Sequence, residues 1–566
     1  MTTALNTQPQ TTANGYIRRW WKEAVVYQIY PRSFMDSNGD GMGDLNGITG
    51  KLDYIRDLGV DVIWLSPHFD SPNADNGYDI RDYEKVMAEF GTMDDFDALL
   101  AGIKARGMRL IIDLVVNHSS DEHRWFVESR KSTDNPYRDY YIWRQPAADG
   151  GPPNDWTSFF SQRAWTRDEA TGEYYLHLFA QKQPDLNWEN PAVRDEVWKL
   201  MRFWLDKGVD GFRMDVIPLI SKDQSFPDMP ADYLGKPSYY YANGPRMHEY
   251  IQEMNAKVLS HYDVMTVGEA VGTTLEQTAL LVDERRNELN MVFQFDIVQL
   301  DRDEKGLWRH WDLPELKAIF SRHAAGLDRH SWSTVYLNNH DTPRSVSRYG
   351  DDDPAWRVRS AKVLQTLLLT QRGTPFIYQG EELGMTNFTF ARVAQFDDIA
   401  VRNAWAVELA AGRNDEQPFV ANLNKTSRDH SRTPMQWTDG PGAGFTTGTP
   451  WLAVNPNAAE IHAAAALADP QSIYHHVQAL TALRHAHPAL IYGDYADLAP
   501  DDPRLFVYTR TLGDETILVA LNFSRDSADF QLPGGGGEIV MSTDGAAGPV
   551  GEVLTLSGWS AHLVRL

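Results

Sequence analysis

The sequence predicts an α/β protein. Its expected architecture is a (β/α)8 TIM barrel, with a small domain inserted after the third strand and an antiparallel β-sandwich at the C-terminal end. Three observations carry this. Eight short apolar runs each end in polar residues, helix-like segments separate many of them, and beyond about Tyr492 the pattern turns to short β-rich runs. Strands buried on both faces read as continuous apolar runs. Eight such strands alternating with helices predict a closed parallel barrel, with reactive groups gathered at the C-terminal strand ends.

In chain order, residues 1 to about 15 are polar and rich in Thr, Gln and Asn. They lack the basic and apolar regions of a secretory signal and read as a flexible tail. Order is expected from Trp20 and Trp21. Residues 25–30 lead into Pro31, Arg32 and Ser33, 62–65 into Ser66, Pro67 and His68, and 110–116 into Asn117 and His118. Residues 211–214 lead into Asp215, 264–267 into Gly268 and Glu269, and 293–295 into Asp296. Residues 335–337 lead into Asn338, Asn339, His340 and Asp341, and 376–378 into Gln379, Gly380, Glu381 and Glu382. Helical periodicity marks residues 93–106 and 191–207. The expected organisation is barrel over 1–118, an inserted subdomain over 119–187, barrel again over 188–490, and the sandwich over 491–566. The last region carries β-rich runs at 505–509, 516–522, 538–542 and 553–556, broken by Gly, Asp and Pro.

A chain of 566 residues is too long for one ordinary domain. Its net charge of -25 repels phosphate backbones and anionic lipid, which excludes nucleic acid and membranes as partners and leaves a neutral ligand. The absence of cysteine excludes disulfides, thiol catalysis and Cys-based zinc sites. No apolar run approaches the length of a membrane span. The expected setting is the cytoplasm, and the expected partner a small neutral di- or oligosaccharide.

Four segments carry the chemistry: DLVVNH at 113–118, GFRMD at 211–215, TVGEA around Glu269, and NNHD at 338–341. Together, and in this order, they resemble the signature regions of the α-amylase superfamily (glycoside hydrolase family 13). The flanking stretches NGYD at 76–79, QPDLNW at 183–188 and RTPMQW at 432–437 are similar to its oligo-1,6-glucosidase, dextran glucosidase and sucrose isomerase branch. The resemblance runs from Trp20 into the C-terminal region.

It implies a retaining α-glucosidase with Asp215 as nucleophile, Glu269 as general acid/base and Asp341 as the third carboxylate, supporting an oxocarbenium-like transition state. It further implies that His118 and His340 grip sugar hydroxyls and that Tyr78 forms a platform under the ring. Asp79 and Arg432 would pair to close the pocket, giving exo action. Val216, directly after the nucleophile, would favour α-1,6 over α-1,4 bonds. The residues read independently in the same direction. Retention needs two carboxyl groups about 5–5.5 Å apart. Asp215 and Glu269 close consecutive strands, and Arg213 lies two residues before Asp215 on the same strand face, where a cation keeps a carboxylate ionised.

A metal loop is also expected. Asp36, Asn38, Asp40, Met42 and Asp44 alternate as the oxygen ligands of a calcium loop do, Met42 through its backbone carbonyl. Gly47 stands where the loop's closing Glu belongs, so a bare Gly/Asp turn is the alternative. The resembling enzymes place a structural calcium here, and magnesium also fits. Last, QLDRD at 299–303 is close to the RLDRD loop of sucrose isomerases. Gln299 removes one fructose-holding cation and Val216 replaces the isomerases' Thr, so hydrolysis is expected over isomerisation. An ordinary solvated loop is the third reading. A non-catalytic relative is disfavoured, because Asp215, Glu269 and Asp341 are all present and no membrane span is seen, and a pure sugar-binding protein is the class that inactivity on nitrophenyl α-glucoside would reveal.

Overall fold

The computed structural model describes residues 10–160, 163–233, 236–304 and 306–566. Eight parallel strands form its centre: β1 (Val26–Ile29), β2 (Val62–Leu65), β3 (Arg109–Leu114), β4 (Gly211–Met214), β5 (Met265–Glu269), β6 (Met291–Phe293), β7 (Thr334–Tyr336) and β8 (Thr374–Tyr378). Their spatial order is β6-β5-β4-β3-β2-β1-β8-β7. This is the TIM barrel the apolar runs predict. Every residue of β1, β2 and β4 is buried, as strands covered by helices outside and side chains inside must be. Gly211 opens β4 at φ +146°, where a Cβ would come within 1.9 Å of the Met265 carbonyl oxygen; only glycine lets β4 and β5 pair there.

The barrel does not close by a backbone ladder. Between β6 and β7 the Thr334 hydroxyl donates to the Val292 carbonyl at 3.0 Å, the Tyr336 phenol donates to the Gln294 carbonyl, and the Phe293 and Tyr336 rings meet edge to face at 5.1 Å. The sequence places the sixth strand at 293–295. The strand instead ends at Phe293, and the chain turns so that Phe295 faces the central cavity.

Helix α1 (Met93–Ala105) starts at a Thr92/Asp95 capping box, and α2 (Pro191–Lys207) starts at Asn190 with Pro at its first position and ends at Gly208, φ +108°. Between β3 and α2, the short strands Trp143–Arg144, Trp165–Arg167 and Tyr174–Leu176 form an antiparallel sheet. Ile142, Trp156, Trp165, Leu176 and Leu178 from this region pack with Val216, Tyr241 and Val271. The insertion is thereby anchored on the loops that follow β4 and β5.

The C-terminal region adds β9 (Asp494–Asp497), β10 (Leu505–Leu512), β11 (Glu515–Asn522), β12 (Ala528–Gln531), β13 (Gly537–Ser542), β14 (Gly548–Val550), β15 (Val553–Leu556) and β16 (Ala561–Arg565). A six-stranded antiparallel sheet, β9-β10-β11-β16-β13-β14, faces the pair β12-β15 across a core that includes Val507, Leu518, Leu554 and Leu556. It docks on α3 (Arg357–Thr370), whose residues from Ser360 onward are all buried. Arg510, wholly buried, donates to the Thr370 carbonyl at 2.6 Å and to the Leu490 carbonyl at 2.9 Å.

Of the expected N-terminal tail, residues 1–9 lie outside the described residues. Residues 10–15 are tied down instead: Thr11 bridges Ile17, Asn14 donates to the Tyr492 carbonyl at 2.9 Å, and the adjacent Tyr16 packs edge to face on Trp332 at 5.6 Å. The tie reaches residues 478 positions away, a contact no local composition signals. Among the described residues no helix is long and apolar enough to cross a membrane.

Candidate active site

Arg213 on β4 is 1% exposed and organises three carboxylates. Its Nη1 lies 2.5 Å from Asp215 Oδ1 and 2.8 Å from Asp113 Oδ1, and its Nη2 lies 2.7 Å from Glu269 Oε2. The Val216 amide also donates to Glu269 Oε2, at 3.1 Å. Holding Asp215 and Glu269 on adjacent nitrogens of one guanidinium suits the short separation of retaining enzymes, not the wider gap that admits a water. Burial pushes the Asp215 carboxyl well above the carboxylate range; Arg213 opposes this, and the neighbouring Glu269 and Asp113 charges add to it. Arg213 thus bonds all three carboxylates, of which Asp113 and Asp215 are buried and Glu269 is partly exposed.

A second cluster centres on Asp341. Asp341 accepts from Arg432 at 2.8 Å and Arg428 at 3.1 Å, and its other oxygen is 3.0 Å from His340 Nε2. Burial raises its carboxyl, but His340 and the two arginines outweigh that and hold it well below the usual range. Tyr78 stacks on His340 at 5.4 Å, with its hydroxyl 2.6 Å from Nε2. His118 is buried, its Nε2 3.2 Å from the Tyr78 carbonyl oxygen; burial pushes it down to about 3, so it is a neutral hydrogen-bonding ring.

These groups border a cavity of about 510 Å³ at the C-terminal ends of the strands. Tyr78, His118, Asp215, Val216, Glu269 and Asp341 all line it. Val216 has φ +36°, a strained left-handed conformation for a β-branched residue, and it turns the chain directly after Asp215.

Asp79 and Arg432 do not form the expected pair. The Asp79 carboxylate is wholly buried and accepts from the Ala74 and Asp75 amides at 2.8 and 3.0 Å and from the Ser71 hydroxyl at 3.1 Å. It braces its own loop. Arg432 spends its guanidinium on Asp341 and on the His340 carbonyl at 3.0 Å. The residues in the cavity wall are Asp75 and Arg428, whose Nη2 lies 3.5 Å from Asp75 Oδ1 and 2.5 Å from Asp398 Oδ1. Burial lifts Asp75 to about 7 against the pull of Arg428 and Arg432. Each lies four residues before the expected position, just ahead of the NGYD and RTPMQW stretches. Sequence reading also missed Phe159, Phe160 and Phe179 in the wall; Phe159 and Phe179 stack at 4.8 Å, and Arg428 lies over Phe160 at 5.4 Å. The aromatic density of the insertion was the available signal.

The 299–303 loop is not a solvated one. Asp301 is 1% exposed and held by Arg348 at 2.6 and 2.8 Å, and Arg302 donates to the Thr426 carbonyl at 3.3 Å. Gln299 accepts from Lys236. None of these groups lines the 510 Å³ cavity.

In the Asp36–Asp44 loop, Asp36, Asn38 and Asp40 each accept an amide two residues on, at 2.9, 2.9 and 2.8 Å. These successive turns wind the donors along one loop. Asp44 instead accepts from Ser37 and caps a helix at the Gly47 amide. Among the described residues no three His, Cys, Asp or Glu side chains converge as a metal cluster. The donor set is oxygen throughout, the chemistry a hard cation takes, with lone pairs left over on Asn38 and Asp40, while Asp36 spends its carboxylate on the Asn38, Gly39 and Gly41 amides and the Thr446 hydroxyl.

Comparison with known proteins agrees with this geometry. Residues 28–493 match the model of the α-amylase catalytic domain, and residues 495–562 that of the maltogenic amylase C-terminal domain. The chain is 56% identical over 529 residues to an oligo-1,6-glucosidase of Halalkalibacterium halodurans, covering 93% of each. It superposes with a TM-score of 0.95 and 48% identity on a trehalulose synthase crystallised with Tris, covering 97% of this chain and 100% of that one. An isomaltulose synthase variant of Erwinia rhapontici in complex with sucrose gives the same score and identity over 97% and 99%. The chain therefore belongs to the α-amylase family of glycoside hydrolases.

Proposed function

We propose that this protein is an exo-acting retaining α-glucosidase that hydrolyses α-1,6-linked glucosides, such as isomaltose and short isomalto-oligosaccharides, and related disaccharides such as isomaltulose or trehalulose. The observation that carries exo action is the ion-paired wall of the cavity, where Arg428 joins Asp75 and Asp341, with Tyr78 and His118 in the same lining. Charged groups bonded to one another there leave a place for a single terminal glucose. Likeness to oligo-1,6-glucosidases supports the linkage.

In this reading Asp215 attacks the anomeric carbon while Glu269 gives its proton to the departing oxygen. The glycosidic C–O bond breaks, and a covalent glucosyl ester forms on Asp215. Glu269, now a carboxylate, takes a proton from water, which attacks the same carbon and releases Asp215. Arg213 holds both carboxylates in place throughout. Asp341, kept ionised by its cationic neighbours, stabilises positive charge developing on the ring. Asp36, Asn38, Asp40, the Met42 carbonyl and Asp44 would hold a structural Ca²⁺, far from the chemistry; Mg²⁺, which demands stricter geometry, is the alternative. A cytoplasmic location belongs to the same reading.

The second reading is sucrose isomerisation, favoured by the solved structures. Against it stands the 299–303 loop, none of whose residues lines the cavity and whose Asp301 is held by Arg348. Chromatography after incubation with each sugar separates the two. Isomaltose should be cleaved faster than maltose, Val216→Thr should narrow that gap, and isomaltulose should give glucose and fructose. Isomaltulose or trehalulose as the main product from concentrated sucrose would replace the hydrolase reading with the isomerase one.

A further inference from the structure

Three residues beyond Asp341, the Arg344 guanidinium is 1% exposed and spends every nitrogen on a main-chain carbonyl. Nε donates to His430 at 3.2 Å, Nη2 to Ser431 at 3.2 Å and Nη1 to Gln379 at 2.7 Å. Among the described residues no carboxylate pairs with it. We propose that Arg344 is a positioning residue, which holds the one-turn helix Asp429–Arg432 so that Arg428 and Arg432 reach Asp341. The inference rests on the glucosidase reading, in which Asp341 supports the transition state, and adds what places its two arginines.

A helix of four residues cannot stand on its own hydrogen bonds, because its last carbonyls find no partner within it. Asp429–Arg432 is such a helix, and every residue of it is buried. Its carbonyls are met from outside. The Thr433 hydroxyl donates to His430 at 3.0 Å, the Tyr378 phenol to Ser431 at 2.7 Å and the Ser33 hydroxyl to Arg432 at 2.5 Å. Each of these donors meets one carbonyl of the turn, whereas Arg344 meets two and fastens them to the Gln379 carbonyl after β8. Gly380, at φ +90°, makes room for this, since a Cβ there would come within 2.8 Å of Arg344 Nη1.

The segment 341–344 therefore grips the turn twice. The Asp341 carboxylate takes the Arg428 and Arg432 side chains at 3.1 and 2.8 Å, and Arg344 takes the main chain between them. The nearby buried carboxylates are engaged elsewhere. Glu382 accepts from the Tyr27 and Tyr54 phenols, at 2.8 Å each, and Glu381 from the Ser345 hydroxyl at 2.7 Å and the Tyr378 amide at 2.9 Å. Burial pulls the Arg344 guanidinium below its ordinary value, so a cation here is costly to the fold and carbonyl dipoles must compensate it. Only the planar fork of an arginine can meet three divergent carbonyls at once; a lysine has one nitrogen to offer.

The test is a double-mutant cycle on nitrophenyl α-glucoside with wild type, Arg344→Lys, Asp341→Asn and the double variant. Lysine keeps the charge and loses most of the bonds. Arg344→Lys should lower kcat/KM about 10- to 100-fold, chiefly through kcat, because Asp341 acts on the transition state. In the Asp341→Asn background the same change should cost less than about 3-fold, since the carboxylate it serves is gone. Calorimetry with 1-deoxynojirimycin, a cationic sugar mimic, closes the same cycle without turnover: the affinity lost in Arg344→Lys should disappear in Asp341→Asn. Tyr378→Phe removes another donor to the Ser431 carbonyl and should show the same dependence on Asp341, with a loss of about 3- to 10-fold. It decides the question if Arg344→Lys does not fold. An equal loss in both backgrounds, or wild-type rates for Arg344→Lys, overturns the positioning role alone. A wild-type enzyme inactive on nitrophenyl α-glucoside and isomaltose overturns the glucosidase reading and this inference with it.

Discussion

Replacing Arg213 by lysine tests the catalytic cluster most directly. One guanidinium meets Asp215 at 2.5 Å, Glu269 at 2.7 Å and Asp113 at 2.8 Å, using two different nitrogens. A lysine ammonium is a single nitrogen on a shorter reach, so it keeps the charge and gives up at least one of these bonds. A charge-assisted hydrogen bond is worth about 1.5–3 kcal/mol, and about 1.36 kcal/mol is a factor of ten in rate. Losing one bond, together with the mutual alignment of nucleophile and acid, should lower kcat/KM about 10²- to 10³-fold. Arg213→Met goes further and leaves two buried carboxylates, Asp113 and Asp215, and the partly exposed Glu269 without this cation. Their proton affinity rises when the positive neighbour goes, so the acid limb of the kcat/KM profile should move to higher pH. The stability sign follows from the same shift. A carboxyl whose folded pKa lies above its unfolded value penalises the fold increasingly as pH rises between the two. The methionine variant should therefore lose more stability at pH 8 than at pH 5, up to about 3–5 kcal/mol for a broken buried ion pair. Kinetics across pH on nitrophenyl α-glucoside, with denaturant unfolding at both pH values, reads each effect. A lysine variant within fivefold of wild type, with an unmoved acid limb, would refute the shared-cation argument.

Two further outcomes follow from the site. Asp75, lifted to about 7 by burial, should bind sugar hydroxyls best as a carboxylate, so KM for a neutral glucoside should fall as pH rises through that value. Asp75→Asn should flatten this dependence, whereas Asp79→Asn should cost about 1–3 kcal/mol of stability by weakening the amide acceptors of its loop; a pH-independent wild-type KM counts against the Asp75 role. If the 36–44 loop holds calcium, a chelator should lower the melting temperature without changing the initial rate, and elemental analysis should find the ion; a chelator-insensitive melting temperature with no bound metal favours the bare turn.

The barrel was legible because strands covered on both sides cannot hide their composition: 62–65 and 211–214 are seen as the strands they form. The sixth strand was misplaced because Phe293 and Phe295 are both apolar, yet one packs inside the barrel and the other turns to the cavity. The Asp75/Asp79 exchange has a similar cause. Both carboxylates sit in one loop, and left-handed Asn76 and Gly77 decide which of them faces outward to the ligand. Arg428 and Arg432 bracket a single helical turn, so both reach Asp341 and periodicity cannot rank them. The burial of Asp301 depends on Arg348, a partner 47 residues away, which no local reading of an Asp/Arg-rich loop supplies.

The join between β6 and β7 has a bearing on how such a scaffold can change. Elsewhere around the ring, neighbouring strands share a register enforced by main-chain bonds, so an insertion in one is felt by the next. Across this join, among the described residues, two side-chain oxygens meet carbonyls and a pair of rings meet each other. In the glucosidase reading, loops on its two sides serve different parts of the reaction: the loop after β5 carries on from the general acid Glu269, and that after β7 carries Asp341, which supports the glucose being transferred. A lineage could lengthen or reshape the former, acquiring new acceptors or new linkages, while the mechanical consequences stop at the join and the grip on glucose is inherited unaltered.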